Sequence, residues 1–97
     1  MNGPLFRVAD VFSIRGRGVV IVATVARDDL KLRVGDPIEL VGADGFRRRT
    51  EVRVIEMPMV PAGACPPFVF LVGTEVEKAD VEVGAEVWRV EPEPSAN

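Results

Sequence analysis

Short apolar runs separated by glycine or proline constrain the fold of this chain more than any other feature. Its 97 residues include nine glycines and eight prolines, spread along the chain and not gathered in one tract. The runs between them are rich in valine, isoleucine and phenylalanine, residue types that are enriched in β-strands. Turn signals at this spacing are typical of an all-β domain.

Six strands are predicted from these runs, at residues 5–14, 19–25, 38–41, 46–56, 68–72 and 86–90. The first has an expected β-bulge near residues 9 and 10, where its alternation of apolar and polar side chains slips. The sequence GADG at 42–45 is typical of a tight hairpin turn, and four prolines in 58–67 exclude a helix or a central strand there. Six strands with frequent turns favour a small six-stranded closed β-barrel, since closure removes exposed edges.

We expect one domain, with a folded core over about residues 5–90 and a flexible acidic tail at 91–97, EPEPSAN. The formal net charge is −3, so the chain as a whole does not attract nucleic acid. Any contact with phosphate would have to come from a local group of arginines.

Several residue types needed for catalysis are missing. The chain has no histidine, no tyrosine and a single cysteine, which removes the usual general base and makes a zinc site and an intrachain disulfide unexpected. We therefore expect no enzymatic activity, no cofactor and no metal. No signal peptide or membrane-spanning run is recognised, so a cytoplasmic location without a membrane partner is expected.

Arginines occur in two local groups. Arg15 and Arg17 lie on a glycine hinge, where they could either keep a turn solvated or bind a phosphate or carboxylate. In the run Arg47–Arg49, strand alternation sends the central side chain to one face and its two neighbours to the other, so no continuous patch is predicted. Cys65 is expected to be an incidental loop thiol, and Trp88 to belong to the core.

The landmarks together resemble domain 2 of translational GTPases, in particular the elongation factor Tu family. The segments that carry the resemblance follow one consistent order over about residues 5–90: DVFSIRGRGVV, LKLRVGDPIELVG, TEVRVIEM, FVFLVG and EKADVEVGAEV. In that family the domain is a six-stranded β-barrel. It helps to hold the aminoacylated end of transfer RNA or contacts the ribosome.

The resemblance implies a candidate binding site on this chain. A pocket for a terminal adenosine would be formed by Ile14, Val20, Glu56 and Phe70, with the carboxylate as acceptor and the apolar side chains against the ring. Arg17 would lie near the RNA backbone. Asp10 matches one of two adjacent acids of the family strand.

The chain also departs from the family pattern. Ala9 replaces the second acid, and GACPPF replaces a stretch that shapes the pocket rim. We expect a freestanding barrel without GTPase and third domains, which binds no GTP by itself. Two functions remain open: a non-catalytic module that contacts tRNA, ribosomal RNA or another translation component, and a protein–protein interaction module on the same barrel that has lost RNA binding.

Overall fold

Six antiparallel strands form a closed barrel in the computed structural model, which describes residues 3–26 and 30–90. The strands are β1 (Phe6–Ile14), β2 (Gly18–Ala26), β3 (Pro37–Val41), β4 (Arg47–Glu56), β5 (Pro67–Val72) and β6 (Glu86–Arg89). Around the barrel their order is β1-β2-β5-β4-β3-β6. The predicted all-β, six-stranded closed barrel is therefore confirmed.

The barrel consists of two half-sheets that share β1 and β4. The second half of β1 pairs with β2, β2 with β5, and β5 with the second half of β4. The first half of β4 pairs with β3, β3 with β6, and β6 with the start of β1. Register shifts between Val8 and Asp10 and between Val52 and Val54 mark the points where β1 and β4 pass from one half-sheet to the other.

The barrel interior is filled by alternate side chains of all six strands. Three rings pack together at its centre: Phe6 lies edge-on to Phe68 and Phe70, with ring centroids 6.2 and 5.9 Å away, and the latter two are 5.1 Å apart. Val76 and Val81, from the β5–β6 connection, complete the core. The core thus uses one face of each strand and leaves the other face to the surface.

Local predictions can be compared with these elements. The bulge near residues 9 and 10 is confirmed, and residues 42–45 turn with the Gly45 N–H donating to the Gly42 carbonyl. Residues 58–66 contain no helix or strand, as predicted, but the prediction was wrong for Pro67, which is the first residue of β5 and pairs with Ala26. The β5–β6 connection includes a short 3-10 helix, Lys78–Asp80, which the sequence did not predict. The expected tail at 91–97 lies outside the described residues.

The placement of Trp88 in the core was wrong. Val87, its neighbour on β6, is the inward residue, whereas Trp88 is half-buried opposite Glu39 on the outer face. Its indole N–H donates to Glu86 Oε1 at 3.0 Å, so a carboxylate at the surface satisfies the ring nitrogen. Across the described ranges, no helix has the length and apolar character required to cross a membrane.

Candidate functional site

An apolar row crosses the outside of the half-sheet formed by β1, β2, β5 and β4. Phe12 pairs with Val20, Val20 with Leu71, and Leu71 with Val54. Directly opposed residues point to the same face of a sheet. The partners on the other face, among them Ile21, Phe70 and Val72, belong to the core. The row therefore faces outward. We call these four residues together with Ile14 the outer surface.

Burial within the outer surface increases from its edges to its centre. Phe12 and Val54, on the flanking strands, are 48% and 40% exposed, and Ile14 is similarly exposed. Val20 and Leu71, on the two central strands, are only 5% and 3% exposed although neither belongs to the core cluster. The surface is thus a packed apolar layer with an accessible rim.

An ion pair spans the centre of this surface. Arg17, in the turn before β2, donates from a terminal nitrogen to Glu56 Oε1 at the end of β4, at 2.6 Å. β5 separates β2 from β4, so their backbones are about 10 Å apart. Because the barrel interior is packed, the pair has to pass over the outside of β5. The pair thus places two opposite charges beside the apolar row.

The β1–β2 turn places Arg17 in this position. Gly16 has a φ of +82°, and the Arg17 N–H donates to the Ile14 carbonyl at 3.0 Å. A type II turn requires such a positive φ at its third residue, where glycine is favoured. The glycines of the RGRG sequence therefore shape the strand reversal.

Most residues that the resemblance implied as a site do lie together. Ile14, Val20, Glu56 and Arg17 occupy the same outer face of neighbouring strands. Asp10 is on this face too, opposite Val22 in the middle of β1. Its Oδ1 accepts the N–H of Val11 at 2.9 Å, so the carboxylate stabilises the bulge.

Phe70 does not join this group. It is fully buried in the barrel core, where its ring contacts those of Phe6 and Phe68. Side chains of a strand alternate between the two faces, and on β5 the outward positions belong to Val69 and Leu71. The structure places Leu71 where the resemblance led us to expect Phe70.

Sequence reasoning missed three residues of the outer surface: Phe12, Val54 and Leu71. A signal was present for Leu71, because it lies in the unbroken apolar run 68–72, which pairs with a second such run at 19–23. In an antiparallel barrel, strands with one solvated face alternate between apolar and polar residues. An unbroken run therefore indicates that the outer face is apolar as well.

Five further arginines on the barrel are paired with carboxylates. Arg47 and Arg49 both contact Glu39, at 2.8 and 3.7 Å, whereas Arg48 contacts Asp80 at 3.4 Å from the opposite face of β4. The prediction that this run forms no continuous patch is confirmed. Two further pairs join Arg7 to Glu86 and Arg89 to Asp36. The arginines of the Arg47–Arg49 run are therefore each held by a carboxylate.

A polar cluster near the barrel end stabilises the β5–β6 connection. The buried Thr50 hydroxyl accepts the N–H of Gly73 and donates to Glu75 Oε1, both at 2.9 Å. A backbone hydrogen bond at Glu75, the Thr50 hydroxyl and the nearby Arg53 and Arg48 lower the pKa of the Glu75 carboxyl. These contacts are all internal to the fold, and we assign the cluster a structural role.

Within 3–26 and 30–90, no cluster of three or more histidine, cysteine, aspartate or glutamate side chains has the geometry to hold a metal ion. Cys65 is exposed in the β4–β5 connection. No protein-family model matches the chain. We therefore take the outer surface, with the Arg17–Glu56 ion pair, as the candidate binding site.

Proposed function

We propose that this chain is a non-catalytic binding domain and that its outer surface binds another protein. The observation that carries the proposal is the apolar row from Phe12 to Val54, whose two ends are exposed although neither lies in a loop. Contiguous exposed apolar side chains on a folded domain are typical of interaction sites. Apolar and aromatic side chains with few charges are typical of the centre of protein interfaces.

The charges around the outer surface favour a protein over RNA. Affinity for a phosphate backbone comes from cations that displace counterions. Arg17, the cation that the resemblance implied as the RNA contact, is already held by Glu56 at 2.6 Å, and the net charge of −3 adds no attraction. A protein partner can use the apolar row without breaking this pair. The resemblance to translational GTPases suggests a component of the translation apparatus as the partner.

Paired valine variants test this proposal. Val54→Lys places a charge at the exposed end of the row, whereas Val34→Lys makes the same change at a valine that is 61% exposed on the β2–β3 connection. The tagged chain and both variants are used to capture partners from nuclease-treated extract of the source cells. We expect Val54→Lys to lose a specific partner that wild type and Val34→Lys retain. Equal capture by all three would refute the proposal.

Binding of a tRNA 3′ end is the second candidate function. It is favoured by the grouping of Ile14, Val20, Glu56 and Arg17 on one face, as the resemblance implied. A fluorescently labelled aminoacyl-tRNA is titrated with the chain at several salt concentrations. RNA binding predicts an affinity that falls steeply with salt and is lost in Arg17→Ala. No binding at low salt would exclude this candidate and leave the protein partner.

A further inference from the structure

We call the half-sheet of β1, β2, β5 and β4, which carries the outer surface, the outer half-sheet. At its β1 edge, one segment has no backbone partner among the described residues. From Asp10 to Ile14, each residue of β1 pairs with β2 on one side. On the other side, β1 pairs with β6 only at Phe6 and Arg7, and backbone hydrogen bonds to residues 84–87 end at Val8. The 3-10 helix lies near β1, but no backbone hydrogen bond joins it to this segment.

Most side chains of this segment are exposed, although Val11 is buried and its N–H is bonded to Asp10 Oδ1. Ser13 occupies an inward position, since it opposes the core residue Val19, yet it is exposed, as are Asp10, Phe12 and Ile14. Free strand edges in folded proteins are usually protected by lysine, proline or a bulge. The segment Asp10–Ile14 follows its bulge and contains neither lysine nor proline. The opposite edge of the half-sheet, in β4, is interrupted by the register shift between Val52 and Val54.

We propose that a second copy of this chain occupies the edge, so that two β1 strands pair antiparallel across a two-fold axis. The distribution of charge along the edge argues for this occupant. Asp10 lies at one end and Arg15 follows Ile14 at the other. An antiparallel pairing centred on Phe12 brings Ile14 of the second copy opposite Asp10, with Arg15 of that copy next to it. The contact occurs twice, and two-fold dimers are the commonest soluble oligomers.

The dimer joins the outer half-sheet of one copy to that of the other, which gives one continuous eight-stranded sheet. Its centre has the Phe12 rings of both copies side by side, because opposed residues share a face. The inference concerns the edge of the half-sheet and does not depend on the proposed function.

Charge reversal tests the pairing with the purified full chain alone. Sedimentation equilibrium over a wide concentration range gives the dimer dissociation constant of wild type, Asp10→Arg, Arg15→Glu and the double variant. Each single change places like charges together twice. We expect it to raise the dissociation constant at least about tenfold, equivalent to about 1.4 kcal/mol, and the double variant to restore it. Arg53→Glu, at the β4 edge, should have no effect.

Circular dichroism first shows that each variant is folded. Amide exchange of Ser13 then reports the pairing, because alternate amides of β1 face β2 and the Val11 N–H is already bonded to Asp10 Oδ1. The Ser13 amide should become protected as the concentration rises. A chain that stays monomeric throughout, a dimer that neither single change weakens, or a double variant that stays weak would each overturn the proposal. A dimer weakened by Arg53→Glu alone would move the interface to β4 and overturn it as well.

Discussion

Phe12 and Phe70 allow the two faces of the half-sheet to be compared with one substitution. Phe70→Ala empties a fully buried position between two other rings, and removal of such a side chain costs about 3–5 kcal/mol. Phe12 is 48% exposed, so truncation loses only about half of the roughly 3 kcal/mol that full burial of a phenylalanine contributes. We expect Phe12→Ala to lower the free energy of unfolding by about 1–1.5 kcal/mol.

Urea denaturation followed by tryptophan fluorescence measures both values. A domain of this size has a total stability of about 5–15 kcal/mol, so Phe70→Ala could leave too little native protein to measure. Phe70→Leu keeps an apolar side chain there and should cost about 1–2 kcal/mol. The measurements are made at low protein concentration, where self-association does not contribute. A loss for Phe12→Ala as large as that for Phe70→Ala would show that the outer surface is a second core, and would refute the assignment.

Three further changes have defined outcomes. In the folded state the pKa of Glu75 is lowered from 4.5, so near and below pH 4.5 the unfolded chain binds more protons than the folded one. Stability should therefore fall as pH decreases below 4.5. Glu75→Gln should make the urea midpoint less dependent on pH. Thr50→Val should cost about 1–3 kcal/mol in urea denaturation, because a buried backbone N–H loses its acceptor. Glu56→Gln should cost at most about 1 kcal/mol, since Arg17 and Glu56 are both partly exposed; the difference from wild type should shrink as salt is raised.

The strands and the barrel could be predicted because local patterns specify them. Valine-rich runs, the GADG turn and the prolines of 58–66 act over a few residues, and the bulge at 9 and 10 is visible as a slip in alternation. The alternation in Arg47–Arg49 likewise fixed which side chains share a face. These features do not depend on residues distant in the sequence.

The site could be predicted only in part, because it depends on which strands are neighbours. Arg17 and Glu56 are 39 residues apart, and their contact requires β5 to lie between β2 and β4. The resemblance placed Phe70 in the site, but on β5 Phe70 faces the core and its neighbour Leu71 faces outward. In Phe68–Val72 every residue is apolar, so periodicity does not show which face is which. Trp88 was misplaced for a related reason, since a large ring is compatible with either face of β6.

A closed barrel was expected to leave no free strand edge, but part of β1 pairs on one side only among the described residues. Within 3–26 and 30–90, the second edge of Asp10–Ile14, away from β2, has no strand partner, because β6 is short and pairs only with the start of β1. Gly84, with a φ of +94°, lies two residues before β6, and its N–H is the last in this connection to donate to β1, at the Val8 carbonyl. The β1–β6 contacts end at Val8, before the segment on which the proposed dimer depends.

The most direct measurement of the central claim is a map of the amides and methyl groups that a captured partner perturbs. The isotopically labelled chain is titrated with the partner that wild type retains and Val54→Lys loses, and NMR shifts are recorded. We predict the largest shifts at Phe12, Ile14, Val20, Val54 and Leu71. Shifts confined to the opposite side of the barrel, around Glu39 and Trp88, would contradict the account.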